Sequence, residues 1–284
     1  MAENKLTLSD DGIAKLKDHE GVIDGLYDDS SEYCTFGVGH LVHPKDKWKC
    51  FLLETAKSDD TWKAKVLKQN PGTSDVYLPR ATAFDDKFDD LKAKAIENTK
   101  LAIAEKKYAK EFDKLAKGDQ EKVTAEAKDV VDEQAKLLAK VPNDVFSDDL
   151  KPYEKAVNDT ITVKLAQEEF DSLVSFCFNI GIPNFTSSTN SVVAEINKDK
   201  YKSGEAKDRN AAIQAIETAF GKWNKSKGAV NAGLTKRRKA EADCFLAAAR
   251  SEVAELEKKA NTAPGSPASI GAPKPVGGQP PVKK

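Results

Sequence analysis

A chain of 284 residues, 39% hydrophobic and 32% charged, can hold one large domain or two modest ones beneath a densely ionic surface. No stretch reaches the ~18 consecutive apolar residues of a membrane-spanning helix, and "MAENKLTLSDDG" has neither a basic start nor an apolar run, so membrane insertion and a signal peptide are not expected. The net charge of −1 is uneven: residues 1–50 hold six Lys and Arg against ten Asp and Glu, whereas residues 195–284 hold eighteen against ten. A cationic final third suits a polyanionic partner such as a bacterial wall or nucleic acid, and equally a solvated helical surface.

In chain order, "TLSDDGIAKLKDHEG" reads as a helix with a Ser/Asp cap, Ile13, Leu16 and Lys17 at helical spacing, and Gly21 as its stop. "LYDDSSEYCTFGVGHLV" alternates aromatic and β-branched residues with turn formers and suits a hairpin or small sheet. From about 46 to 146 the style changes to Lys, Asp, Glu and Ala. There Phe84, Phe88, Leu91 and Ala95 follow helical steps, and "KEFDKLAKGDQEKVTAEAKDVV" reads as two amphipathic helices broken at Gly118-Asp119, which predicts a helical hairpin or short antiparallel coiled coil. Three more helices are predicted at "LAQEEFDSLVSFCFNIG", "NAAIQAIETAFGKWN" and "GLTKRRKAEADCFLAAARSEVAELEKKA". From 262 Pro and Gly dominate, which predicts a disordered or extended tail.

The four cysteines, Cys34, Cys50, Cys177 and Cys244, do not make a disulfide scaffold in a chain this long, and their spacing is not that of a zinc site. Cys177 and Cys244 sit in apolar runs and read as buried small hydrophobes. No cofactor and no metal are expected.

The informative stretch is "HEGVIDGLYDDSSEYCTFGVGH", His19 to His40. Hydrolysis of a glycosidic bond needs a proton for the leaving oxygen and an activated nucleophile on the other side of the sugar, roles that two carboxyls can divide. Glu20 closes the first helix beside Gly21, where partial burial would raise its pKa. Asp29 lies nine residues on in a polar loop, and Thr35 six further, where its hydroxyl can orient a water. By composition alone such residues are more often caps and turns.

The spacing resembles phage-type lysozymes of glycoside hydrolase family 24, whose motif is Glu, eight residues, Asp, five residues, Thr, then Gly-x-Gly-His. Two further stretches are similar to that family in the same order: Leu165 to Thr189, with the Gln, Phe, Leu, Phe-Asn and Gly of its core helix, and Phe220 to Phe245, with Trp, Gly, Gly-Leu, Arg-Arg and Glu. The resemblance covers roughly residues 8–44 and 151–248. It implies an α+β, mainly helical, two-lobed lysozyme-like fold, with a small N-terminal β-sheet lobe over 1–45 and a helical C-terminal lobe over 147–261. The saccharide would lie between the lobes. It further implies muramidase activity on the β-1,4 bond between N-acetylmuramic acid and N-acetylglucosamine of peptidoglycan, with Glu20 as general acid and Asp29 and Thr35 positioning water. Asp28, one residue off the spacing, competes with Asp29. His40 would support the Gly-rich turn, Arg237 or Arg238 would pair with Glu20, and Asn179, Ser188 and Thr189 are weaker saccharide-binding candidates. His19 is expected to face outward, Trp223 to pack the second lobe, and Phe176, Phe178 and Phe185 to be core.

The resemblance says nothing about the helical insertion over 46–146 or the tail over 262–284. The insertion is either a stabilising decoration or a surface that caps the cleft, binds the wall, or docks an immunity protein or delivery machinery. The expected setting is a chain made in the cytoplasm and acting in the periplasm, as a phage lysis enzyme or an antibacterial effector. The alternative from another class is a catalytically silent peptidoglycan-binding or structural module of a phage tail or secretion machine. A nucleic-acid partner has only charge behind it and is not expected.

Overall fold

Ser9 starts the first helix. In the computed structural model, which describes residues 5–69 and 76–262, its side chain accepts the Gly12 N–H. Asp10 and Asp11 occupy the positive end of α1 (Asp10–Glu20), and Gly21 ends it at φ +77°. The chain divides into two compact units, one up to Ser187 and one from Ser188. The boundary falls inside the 147–261 range.

In the first unit, β1 (Ile23–Asp28), β2 (Cys34–Gly37) and β3 (His40–Leu41) follow α1, then α2 (Phe51–Ser58) and α3 (Asp60–Val66). Two short strands, β4 (Lys68–Gln69) and β5 (Val76–Pro79), then complete a five-stranded antiparallel sheet in the order β3-β2-β1-β5-β4. The segment over 46–146 is therefore not wholly helical: it donates two strands to the sheet. At the β1–β5 crossing, Gly25 lies against the Leu78 carbonyl, where a Cβ would stand 2.1 Å from that oxygen. The close approach requires glycine.

The expected helical hairpin is α4 (Phe88–Tyr108) and α5 (Lys117–Leu138). The break falls earlier than Gly118-Asp119, which sit in the first turn of α5. It comes at Ala109, in the left-handed region at φ +51°, followed by a 3₁₀ turn over Phe112–Lys114. Phe84 belongs to a separate 3₁₀ turn and is 70% exposed, whereas Leu91, Ala95 and Ile103 are fully buried along one stripe of α4. Val123, Ala127, Val131 and Leu138 form the facing stripe of α5, and both stripes join Leu26, Phe36, Leu52 and Leu78 in one hydrophobic cluster. Helices and sheet share a core, so this segment is not an appendage.

The first unit closes with α6 (Pro142–Thr160), α7 (Gln167–Ile180), ended by Gly181 at φ +84°, and the short α8 (Ile182–Phe185). Phe176 and Phe185 are fully buried as expected. Phe178 is only partly covered, with ring centroids 5.0 Å from Tyr153 and 5.8 Å from Phe146.

The second unit comprises α9 (Ser191–Ile196), capped by Asn190, α10 (Ala206–Gly221), the strand pair β6 (Lys225–Ser226) and β7 (Ala229–Val230), and α11 (Ala232–Thr262). Phe245 packs its ring 5.4 Å from Tyr201 and 6.2 Å from Phe220. Arg250 bridges Asp243 at 2.8 Å and Glu217 at 3.2 Å. The predicted tail lies outside the described residues. Among those described, no helix is long and apolar enough to cross a membrane.

Candidate active site

Glu20 is the last residue of α1 and is exposed, so the partial burial expected for it is absent in the free chain. Gly21 stops the helix there and the chain turns directly into β1. Antiparallel pairing of β1 with β2 sets Tyr27 opposite Thr35 and Asp28 opposite Cys34. Burial pushes the Tyr27 hydroxyl pKa up; the Gly39 N–H opposes this, and the charges of Asp29 and Glu20 push it further up. Tyr27, the neighbour of Thr35, thus feels both candidate carboxylates. Thr35 itself is 3% exposed and its hydroxyl donates to the Tyr33 carbonyl at 3.0 Å, which leaves its oxygen lone pairs to accept from a water.

The two aspartates have separate duties. Asp29 follows β1 and closes the loop on itself: its Oδ1 accepts the Ser31 N–H at 2.8 Å and the Tyr33 N–H at 3.0 Å, an Asx-type turn. Its Oδ2 takes part in neither bond. Asp28 Oδ1 accepts the Cys50 N–H at 2.8 Å, and its Oδ2 lies 3.7 Å from Lys57. Burial raises the Asp28 pKa, against the Cys50 N–H and Lys57, which lower it. Asp28 is thus tied to the start of α2.

Gly37 and Gly39 form the turn into β3 at φ +63° and +77°. At Gly37 a Cβ would also stand 3.1 Å from Pro142, the first residue of α6, so the turn needs glycine for both conformation and contact. His40 Nδ1 lies 2.9 Å from both carboxylate oxygens of Asp149 on α6. One turn further along α6, burial raises the Tyr153 hydroxyl pKa, with Cys177, Asp149 and Glu20 adding in the same direction. A cavity of about 460 Å³ adjoins the site, lined by Asp28, Asp29, Glu32, Lys49, Glu54 and Lys57.

One strong tie was not legible in the sequence. Cys34 and Cys50 form a disulfide, a single bridge in a chain whose cysteines gave no sign of a disulfide scaffold. Sixteen residues of separation looks arbitrary until β2 and the start of α2 are brought together. Cys177 is buried as expected, and its thiol is pushed up to about 12 by burial, whereas Cys244 is only half-buried.

Residues 108–241 match the phage lysozyme family model. This part of the chain is similar to phage lysozymes. The match takes in α5 and begins after Glu20, Asp29 and Thr35. Similar curated proteins are the endolysin of Bacillus phage PZA, 35% identical over 109 residues, or 38% of this chain and 37% of that protein, and the endolysin of Salmonella phage P22, 31% identical over 110 residues, or 39% and 65%. The chain thus spans well under half of the Bacillus phage protein's length. Solved structures similar to it include an endolysin from Escherichia coli O157:H7 phage FAHEc1, with TM-score 0.43, 19% identity, and coverage of 87% of this chain and 98% of that one. Another is the muramidase domain of SpmX from Asticaccaulis excentricus, with TM-score 0.41, 18% identity, and coverage of 85% and 99%.

The other expected residues belong to both units. His19 is exposed beside Glu20, as expected, and Asn179 is exposed near the end of α7. Ser188 and Thr189 open the second unit and are exposed; Trp223, in the same unit, is half-buried. Arg237 and Arg238 are buried on α11, where both pair with Glu241, at 3.0 and 2.8 Å. Tyr27, Asp149 and Tyr153 were missed. Asp149 and Tyr153 had one available signal, their i, i+4 spacing on one helix face, but nothing in the sequence says which strand that face meets. Among the described residues, no cluster of three or more His, Cys, Asp or Glu is placed to hold a metal ion.

Proposed function

We propose that the chain is a lysozyme-type peptidoglycan hydrolase, cleaving the β-1,4 bond between N-acetylmuramic acid and N-acetylglucosamine. The observation that carries this reading is the β1–β2 hairpin, which begins directly after Glu20 at the end of α1, sets Thr35 opposite Tyr27 and closes through the Asp29 turn. The similarity of residues 108–241 to phage lysozymes supports it. Glu20 serves as the general acid, its exposed carboxyl open to a sugar laid over it and to the leaving oxygen that takes the proton. Asp29, its Oδ1 fixed by two backbone N–H groups, keeps Oδ2 to orient the attacking water with the Thr35 hydroxyl.

The setting we infer is the periplasmic face of the wall, reached as a phage lysis enzyme or an antibacterial effector. The Cys34–Cys50 disulfide supports an oxidising compartment of that kind. An immunity protein or delivery machinery would meet the chain through residues 46–146 or the tail.

Loss of turbidity of purified peptidoglycan tests the reading. The wild type is expected to clear the wall, and Glu20→Gln to retain its circular dichroism while losing about a hundredfold or more in rate. Equal rates would remove Glu20 from its role. No clearing by either protein would favour a wall-binding module.

A further inference from the structure

We propose that Gln134, in the middle of α5, is a positioning residue for the candidate site, and that the segment over 46–146 is the internal brace holding the Asp29 loop and Thr35 in place. The first half of this inference rests on the hydrolase reading; the brace itself does not.

Gln134 is 0% exposed, and every hydrogen-bonding group of its amide is used. Its Oε1 accepts the Leu52 N–H at 3.1 Å. Its Nε2 donates to the Lys49 carbonyl at 3.1 Å and to His43 Nε2 at 3.0 Å. Flipping the amide would set its NH₂ against the Leu52 N–H, so the bond pattern fixes its orientation. His43 Nε2 is then an acceptor, and its Nδ1 faces Glu133 at 3.0 Å. Only a primary amide offers one acceptor and two donors in this arrangement.

The bonded groups matter because of what they hold. Leu52 lies in the first turn of α2, whose N-cap, Cys50, makes no side-chain cap bond. Gln134 caps that helix from outside. Between its two contacts, Lys49 and Leu52, stands Cys50, whose N–H holds Asp28 and whose sulfur is joined to Cys34. Trp48, just before, accepts the Cys34 N–H through its carbonyl at 2.8 Å. Asp28 and Cys34 face each other across β1–β2, and each immediately precedes a candidate catalytic group, Asp29 and Thr35. One buried amide on α5 therefore fixes a four-residue segment that grips both sides of the loop. A buried glutamine that merely satisfied its neighbours would stabilise the fold without setting the loop.

Hydrogen exchange and kinetics of Gln134→Leu, at a temperature where the variant is fully folded by near-ultraviolet circular dichroism, separate the two. The proposal expects the amides of Leu52, Cys50, Ser31 and Tyr33 to exchange about tenfold or more faster, with kcat on peptidoglycan down about tenfold and KM within about twofold. Val123→Ala, a cavity in the same helix away from the amide, should lower stability yet leave these amides and kcat unchanged. Unchanged exchange at Cys50, Ser31 and Tyr33 in Gln134→Leu, or an equal loss of kcat in Val123→Ala, would overturn the proposal. If Gln134→Leu does not fold, the wild type decides. The Leu52 amide, in a first turn that ordinarily frays, must be protected like the core of α5, and rapid exchange there refutes the brace. If the wild type does not cleave peptidoglycan, the hydrolase reading fails, while the exchange data still judge the brace.

Discussion

His40 Nδ1 stands 2.9 Å from both oxygens of Asp149, a residue 109 positions later in the chain, and this pair ties the Gly-x-Gly-His turn to α6. Both side chains are close to 30% exposed, so solvent weakens the pair. A double-mutant cycle with His40→Ala and Asp149→Ala, read by urea unfolding, should give a coupling of about 1 kcal/mol. Additive single mutants would mean the pair holds nothing.

Asp28 and Asp29 should separate cleanly. Asp29→Asn is expected to lower kcat on peptidoglycan about a hundredfold, and Asp28→Asn to stay within about tenfold of wild type. Their stability profiles differ too. The folded Asp28 pKa lies above its unfolded value because of burial, so its favourable contribution is complete below the unfolded pKa and is lost as pH rises through the folded one. Asp28→Asn, which still offers an oxygen to the Cys50 N–H, should therefore be at least as stable as wild type at pH 7 and lose that relative advantage in acid. Urea titrations at pH 3 and pH 7 check the sign.

The Cys34–Cys50 disulfide closes a loop of sixteen residues' separation. Reduction with dithiothreitol, or Cys34→Ser with Cys50→Ser, should cost about 3 kcal/mol of unfolding free energy. Equal denaturation midpoints with and without reductant would refute this.

Gly25→Ala would drive a Cβ to 2.1 Å from the Leu78 carbonyl, a backbone atom that cannot swing aside. The β1–β5 pairing must open, with a loss of about 3 kcal/mol or more. Thermal unfolding measures it; a shift of under a degree would contradict the close approach.

Cys177 and Cys244 should differ in reactivity. A thiol pushed up to about 12 is thiolate in only about one molecule in ten thousand at pH 8. Iodoacetamide on the native, unreduced protein should label half-buried Cys244 and spare Cys177 until denaturant is added. Mass spectrometry of the peptides reads the outcome.

Local chemistry determined the parts of this protein that the sequence by itself made legible. Ser9 starts a helix through its side chain and Gly21 and Gly181 stop helices through their backbone geometry, and the stripes Leu91-Ala95 and Val123-Ala127 repeat at the helical period. The Glu20, Asp29 and Thr35 spacing was equally readable, because one helix stop and one hairpin carry all three within sixteen residues. Tertiary structure decided what depends on contacts far apart in the chain. The short strands β4 and β5 have no pattern long enough to announce themselves and exist because β1 offers β5 an edge and β5 in turn pairs with β4. The break between α4 and α5 came at Ala109 and not at Gly118, since a helix start tolerates glycine and a left-handed residue ends a helix. Asp149 found His40, Cys34 found Cys50, and Gln134 found Lys49 and Leu52 only after folding. Side-chain spacing fixes which residues share a face, but only the packed core selects the face each one meets.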